Sequence, residues 1–157
     1  MEEVNLRVPR EDDWPAILEL AQRSLAGVPQ PPDQREWMEN RRSFAVSDGV
    51  QRHFVATDGE RIVGYACIER RNAAPQGWYR LFVVVEPSAR ATLGAMLFGE
   101  LRERMLELGA RRTWMMEFEA DAGFVAFLEG IGFAKIKSLE LDGHAVVQLA
   151  MDAPFQR

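Results

Sequence analysis

The clearest chemical signal in the sequence is the point where an apolar run meets a helix-forming run, in LFVVVEPSARATLGAML at residues 81–97. A strand that leads through a tight loop into a long helix leaves backbone N–H groups at the helix start without partners. These donors and the helix dipole attract phosphate. Arg90 adds a positive charge that suits a phosphate oxygen. The same spacing also fits a plain strand-to-helix crossover that binds nothing, and the residues alone leave both interpretations open.

Three side chains are candidates for a general base. Tyr79 lies near the start of the same apolar strand, while Glu117 and Glu119 lie on or just past the run TWMMEF, which predicts a neighbouring strand. If Glu117 faces a cleft, a raised pKa would suit a base that acts directly or through water. The plainer alternative is that these groups are solvated at a strand end.

Length, charge and cysteine content narrow the function class. The chain has 157 residues, the size of one globular domain, so we expect a single domain over residues 1–157. Its net charge of −5 argues against nucleic acid as a partner, because nucleic-acid binders usually carry a basic face. Cys67 is the only cysteine, and the histidines are His53 and His144 alone, so we expect no metal site. We interpret Cys67 as a small buried hydrophobe.

Neither the N-terminal segment nor the apolar runs of the sequence indicate a signal peptide or a membrane span. The N-terminal segment MEEVNLRVPREDDW has acidic residues and no apolar core, unlike a signal peptide. The longest apolar runs, at residues 81–85 and 124–128, are far shorter than the ~20 residues that span a bilayer. We therefore expect a cytoplasmic protein with no membrane partner.

Hydrophobic periodicity and capping residues predict the first elements. Residues 4–8 alternate apolar and polar as a short strand does, and EDDWPAILELAQRSL predicts a helix capped by Asp12 or Asp13. Asp33 followed by Glu36 resembles a capping box and predicts a second, more polar helix. We expect this second helix to lie on the surface or over a site.

Two Asp-Gly dipeptides predict β-hairpins in the rest of the chain. Asp58-Gly59 separates HFVAT from RIVGYACIE, and Asp142-Gly143 separates FAKIKSLEL from AVVQLAM. Between them lie the strand WYRLFVVV, a helix of about residues 92–108, the strand TWMMEF and a short helix capped by Asp121. The sequence therefore predicts an α/β fold (an α+β mixed sheet): a central, mostly antiparallel sheet of about six to seven strands, with helices on both faces and one right-handed parallel strand–helix–strand crossover.

In the order of these elements the sequence resembles the GNAT superfamily of N-acetyltransferases, which use acetyl-coenzyme A (acetyl-CoA). The family's phosphate loop reads Val-x-Pro-x-x-Arg/Gln-x-x-Gly-x-Gly/Ala, and the sequence has Val85, Pro87, Arg90 and Ala95 at the matching positions. EADAGFVAFLEGIGF is similar to the family's late Asn-x-x-Ala-x-x-x-Tyr-x-x-x-Gly-Phe signature, with Asp121 in the Asn position. The resemblance covers nearly the whole chain.

Leu93 departs from the family pattern, because it stands where the loop has its first glycine, with Gly94 one position later. If that position needs a positive φ, a leucine costs about 1–2 kcal/mol. If the position is already helical, Leu93 costs nothing and packs on the core. A loop shifted by one residue, centred on Gly94, is a third possibility.

Leu128 is the second departure, because many family members carry there a tyrosine that protonates the leaving thiolate. A thiol with a pKa near 8.5 gains only ~2 kcal/mol from protonation at pH 7. An attacking amine with a pKa of ~10.4 must lose ~4.6 kcal/mol to become neutral at that pH. Deprotonating the amine is the larger demand, so the missing acid does not exclude acetyl transfer.

The resemblance implies transfer of an acetyl group from acetyl-CoA to a primary amine of a small molecule or peptide by direct attack, with no metal. The pantetheine arm would lie as an added strand along Val83, Val84 and Val85. The general base would be Glu117 or Tyr79. The pyrophosphate would be held by the loop and helix start, at Arg90, Ala91, Thr92, Leu93, Gly94 and Ala95.

Two other interpretations remain open at this stage. The first is a non-catalytic GNAT-fold module that binds acyl-CoA or a partner, including a chain similar to one half of a tandem GNAT protein that works as a homodimer. The second is an unrelated α+β small-molecule binder. Trp37, Trp78 and Trp114 would line an aromatic acceptor pocket in the resembling fold, although large aromatics are most often core.

Overall fold

The elements of the fold are taken from a computed structural model, which describes residues 4–25, 28–29, 49–153 and 155. The strands within these residues are β1 Val4–Arg7, β2 Gly49–Asp58, β3 Arg61–Arg71, β4 Trp78–Val85, β5 Arg112–Phe118, β6 Ala134–Leu141 and β7 His144–Asp152. The α-helices are α1 Trp14–Ser24, α2 Arg90–Glu107 and α3 Ala122–Gly130. The predicted second helix, which begins at Asp33, lies outside the described residues.

The strands form one mixed sheet in the order β1-β2-β3-β4-β5-β7-β6. Every neighbouring pair is antiparallel except β4 and β5, which run parallel and are joined by α2. Asp142 and Gly143 have φ angles of 51° and 80°, the left-handed pair that a tight hairpin turn between β6 and β7 requires. The predicted fold class, with its single parallel crossover and both Asp-Gly hairpins, is confirmed.

The two faces of the sheet are covered by different helices. Alternate residues of β3 point to opposite faces, as in any strand. Tyr65 and Cys67 pack against α1, whereas Ala66 and Ile68 pack in the cluster that contains α2 and α3. Cys67 is fully buried among apolar neighbours, as its interpretation as a small hydrophobe predicted.

Among the described helices, none combines the length and apolar character needed to cross a membrane.

The structure decides between the three possibilities for Leu93. A single 3-10 turn, Pro87–Ala89, follows β4, and α2 begins directly after it at Arg90. Leu93 therefore lies within the helix, where it is 1% exposed and packs in the core at no backbone cost. Gly94 is helical as well, and a Cβ on it would lie 2.7 Å from Cζ of Phe127 in α3. Gly94 thus allows α2 and α3 to pack closely.

We expect Gly94→Ala to destabilise the fold by about 1–3 kcal/mol, because the added methyl group overpacks against the Phe127 ring. Gly99→Ala in the same helix is the matched control. Among the described residues, a Cβ there meets no atom within 4 Å, so the better helix propensity of alanine should add up to about 1 kcal/mol. Urea unfolding of both variants tests this, and equal stabilities would contradict the packing assigned to Gly94.

Candidate active site

The centre of the sheet opens where β4 and β5 separate. The two strands pair only from Trp78 to Arg80 on β4 and from Arg112 to Trp114 on β5. They then continue to Val85 and Phe118 without pairing with each other, while their outer edges pair with β3 and β7. The result is a wedge between parallel strands, and the backbone groups along its walls are available to an extended ligand.

A cavity of about 280 Å³ occupies this wedge. This is close to the lower limit for small-molecule sites. The end of α1 and the β6–β7 hairpin complete its walls, and most of its lining is apolar. The lining residues are Ser24, Leu25, Arg80, Phe82, Val83, Val84, Met116, Glu117, Phe118, Leu141, Asp142, His144 and Val146.

Glu117 supplies a titratable carboxyl group to this cavity. Its side chain is half-buried near the end of β5, beyond the last residue that pairs with β4. Burial raises the pKa of Glu117 to about 8, and the negative charge of Asp121 adds to the increase, while Arg90 and Arg80 oppose it. A carboxyl group whose pKa lies close to neutral pH is suited to accept a proton from a substrate.

Arg90 and Asp121 form an ion pair beside Glu117. The distance is 2.8 Å from Nη2 to Oδ2, and Nη1 donates to Oδ1 at 2.9 Å. Nη2 also donates to the backbone oxygen of Ser24 at 3.1 Å, and the guanidinium lies 4.8 Å from the centre of the Phe124 ring. The Arg90 side chain, which the sequence assigned to a phosphate, is thus directed into the wedge. Asp121 caps α3 as predicted, accepting from the Phe124 N–H.

The structure does not bring Tyr79 to the cavity. Its ring is 7% exposed in the core beneath α2, and its hydroxyl donates to the backbone oxygen of Leu108 at 3.2 Å. Glu119 lies on the surface and accepts a hydrogen bond from Ser138. Leu128 is fully buried in the core, so a tyrosine there would disturb packing and is not a clean test for a missing acid.

Neither of the described tryptophans that were expected in an aromatic acceptor pocket, Trp78 and Trp114, lines the cavity. Trp78 is partly exposed beneath the Arg112 guanidinium, at 5.1 Å, and Trp114 lies 5.1 Å from the Arg80 guanidinium. Trp37 lies outside the described residues. The sequence analysis considered His144 only as a possible metal ligand, whereas the β6–β7 turn places it in the cavity wall against Phe118. The Asp-Gly signal for that turn was the available clue, because it fixes where β7 begins.

A model of the acetyltransferase (GNAT) family matches residues 14–133, which is most of the chain. The chain belongs to the GNAT acetyltransferase family. The loop that carried the resemblance in the sequence is the Pro87–Ala89 turn that leads from β4 into α2. Among curated proteins, no sequence matches this GNAT chain.

Solved structures share the GNAT fold at low sequence identity. A GNAT-family acetyltransferase from Staphylococcus aureus Mu50 is 15% identical with a TM-score of 0.78, covering 96% of this chain and 99% of its own. The ribosomal-protein-S18-alanine N-acetyltransferase from Escherichia coli is 19% identical with a TM-score of 0.70, covering 96% and 94%. A spermidine N-acetyltransferase chimera from Vibrio cholerae and hSSAT is 14% identical with a TM-score of 0.74, covering 98% of each chain. These likenesses establish the fold.

Proposed function

We propose that this GNAT protein transfers an acetyl group from acetyl-CoA to a primary amine of a small molecule or peptide. The observation that carries the proposal is the Glu117 carboxyl group, with a pKa of about 8, in the wall of the wedge between β4 and β5. An amine with a pKa of ~10.4 is charged at neutral pH and needs such a base before it can attack.

The coenzyme would use the backbone on both sides of the β4–α2 junction. Its pantetheine arm would lie along Val83, Val84 and Val85, which lie beyond the last residue of β4 that pairs with β5. Its pyrophosphate would bind the N–H groups of Arg90, Ala91 and Thr92 in the first turn of α2, since a helix leaves these without internal partners.

The next three residues of α2 would set the packing and the space around the coenzyme site instead of binding the coenzyme through hydrogen bonds. They are Leu93, Gly94 and Ala95. Carbonyl groups four residues earlier are available to their N–H groups within α2. Leu93 fixes the helix to the core, and Gly94 allows α3 to approach it. Ala95 is exposed and small, which leaves room beside the first helical turn.

The reaction proceeds in this proposal by direct attack. The Glu117 carboxylate accepts a proton from the ammonium group, directly or through water, and the freed amine nitrogen attacks the thioester carbon. The C–N bond forms, the C–S bond breaks, and coenzyme A leaves as a thiolate. The nitrogen, which is cationic after its attack, releases a second proton to become the amide, and the thiolate takes up one proton. Because thiolate protonation contributes only ~2 kcal/mol at pH 7, no tyrosine is needed at Leu128.

Coenzyme binding and turnover test the proposal separately. Acetyl-CoA at 100 times its Kd should stabilise the protein by ~2.7 kcal/mol, which a thermal-shift assay detects. Thiol release with an amine panel, including spermidine and alanine-containing peptides, then measures transfer, and mass spectrometry identifies the acetylated product. Binding without transfer to any amine favours a non-catalytic acyl-CoA-binding module, and absence of binding refutes the proposed function.

A further inference from the structure

The Arg90–Asp121 ion pair connects the two halves of the sheet across the wedge. Arg90 begins α2, which follows β4, and Asp121 precedes α3, which follows β5. Beside the pair, the space bounded by β4, Glu117 and Phe118 shrinks to about 20 Å³, little more than one water molecule occupies. Arg90 and Glu117 therefore line the same small space, and the Nη groups of Arg90 are already engaged by Asp121 and Ser24.

The charges that face Glu117 come from several elements. Asp121 lies before α3, Arg90 begins α2 and Arg80 lies on β4, while the β6–β7 hairpin brings Asp142 and His144 into the same cavity. Within the described residues, Glu117 forms no ion pair, although a guanidinium lies on the same cavity wall. The carboxylates of Asp121 and Glu117 differ in this respect because Asp121 already holds the Arg90 guanidinium. The two groups make a two-point contact, which is strong and directional.

We propose that Asp121 is a positioning residue that engages the Arg90 guanidinium in a contact of its own, so that Glu117 remains a base instead of becoming half of an ion pair. An asparagine at this position would have no charge to hold Arg90. With Asn at residue 121, the guanidinium would turn toward Glu117, the carboxylate left in its reach. This inference rests on the proposed function for the role of Glu117.

The test compares Asp121→Asn with Arg90→Gln. Asparagine has the size of aspartate and is an equally good helix cap, so Asp121→Asn preserves α3 and removes only the charge. Carboxyl ¹³C resonances of glutamate are followed by NMR as pH changes, and the Glu117 resonance is assigned from its loss in Glu117→Gln. The protein is titrated without coenzyme, so the measurement does not depend on turnover.

Opposite shifts are expected in the two variants. Asp121→Asn should lower the Glu117 midpoint from about 8 by about one pH unit, because a negative charge is lost and Arg90 is released. Arg90→Gln should raise the midpoint, because a positive charge is lost. A loosened structure that admits water would lower both midpoints toward the ordinary glutamate value. Parallel downward shifts, or an unchanged midpoint in Asp121→Asn, would overturn the proposal.

Kinetics then separate this inference from the proposed function. The inflection of kcat/KM with pH should follow the NMR midpoint to lower pH in Asp121→Asn, and the rate above that inflection should fall because a paired carboxylate is a weaker base. If the parent protein shows no acetyl transfer, the proposed function fails, yet the NMR midpoints still decide whether Asp121 controls Glu117. An inflection that stays in place while the midpoint moves would remove the link to catalysis.

Discussion

Glu117→Gln is expected to lower kcat/KM for acetyl transfer by about 10²–10⁴-fold, the range for loss of a general base. Glutamine fills the same volume at the end of β5 but cannot accept a proton. The affinity for acetyl-CoA should not change, because the coenzyme is assigned to the backbone of β4 and α2. Steady-state kinetics together with calorimetric titration of the coenzyme measure both quantities. Full activity in this variant would exclude Glu117 as the base.

The pH profile gives an independent test of the same assignment. In the parent protein, kcat/KM should rise with pH and show an inflection near 8, where Glu117 loses its proton. This inflection should be absent in Glu117→Gln, whose remaining pH dependence belongs to the acceptor amine. Glu119→Gln is the matched control, because Glu119 is an exposed neighbour outside the cavity and its loss should leave the inflection in place.

The raised pKa of Glu117 also predicts how stability changes with pH. The folded state binds the Glu117 proton more tightly than the unfolded chain, so this group's contribution to stability is complete below about pH 4.5 and is lost as pH rises through about 8. Glutamine does not ionise, so the Glu117→Gln variant does not lose this stability as pH rises. The variant should melt at a higher temperature than the parent at pH 8, and the difference should shrink toward pH 4.5. A gain in stability with a loss of activity is the pattern expected of a functional residue.

Local signals in the sequence were sufficient for most of the fold. The Asp-Gly turns, the helical leucine stripe of α2 and the apolar run of β4 each specify one element through nearby residues. The predicted cap of α1 is an exception, because a neighbouring charge engages the capping side chain. Asp13 occupies the cap position of α1, but its carboxylate binds Arg7 at 2.6 Å and makes no cap hydrogen bond.

The arrangement of the site needed the structure for physical reasons. WYRLFVVV and TWMMEF are apolar on both faces, so a period of two has no contrast that shows which way Tyr79 or Glu117 points. The Arg90–Asp121 pair joins residues 31 positions apart, and only the packing of α2 beside α3 brings them together. Whether Leu93 needed a positive φ depended on where α2 begins, which propensity leaves uncertain by a few residues.

Thr92→Glu is expected to weaken acetyl-CoA binding by about 100-fold while stabilising the unliganded protein. Thr92 is exposed in the first turn of α2, which contains no acidic residue. A carboxylate there interacts favourably with the helix N-terminus, adding about 0.3–1 kcal/mol of stability. It also competes with the pyrophosphate for the same N–H groups, and like charges in contact cost several kcal/mol. Because binding and stability move in opposite directions, misfolding cannot produce this result.

Two comparisons make the Thr92→Glu result specific to the pyrophosphate. Leu106→Glu adds the same charge at the other end of α2, on a side chain that is 41% exposed, and should leave the Kd for acetyl-CoA unchanged. S-acetylpantetheine lacks the pyrophosphate, so its rate of acetyl transfer should be the same in the parent and in Thr92→Glu. Because the repulsion requires both charges at one helix end, equal affinity of parent and Thr92→Glu for acetyl-CoA would mean that the pyrophosphate binds away from the first turn of α2.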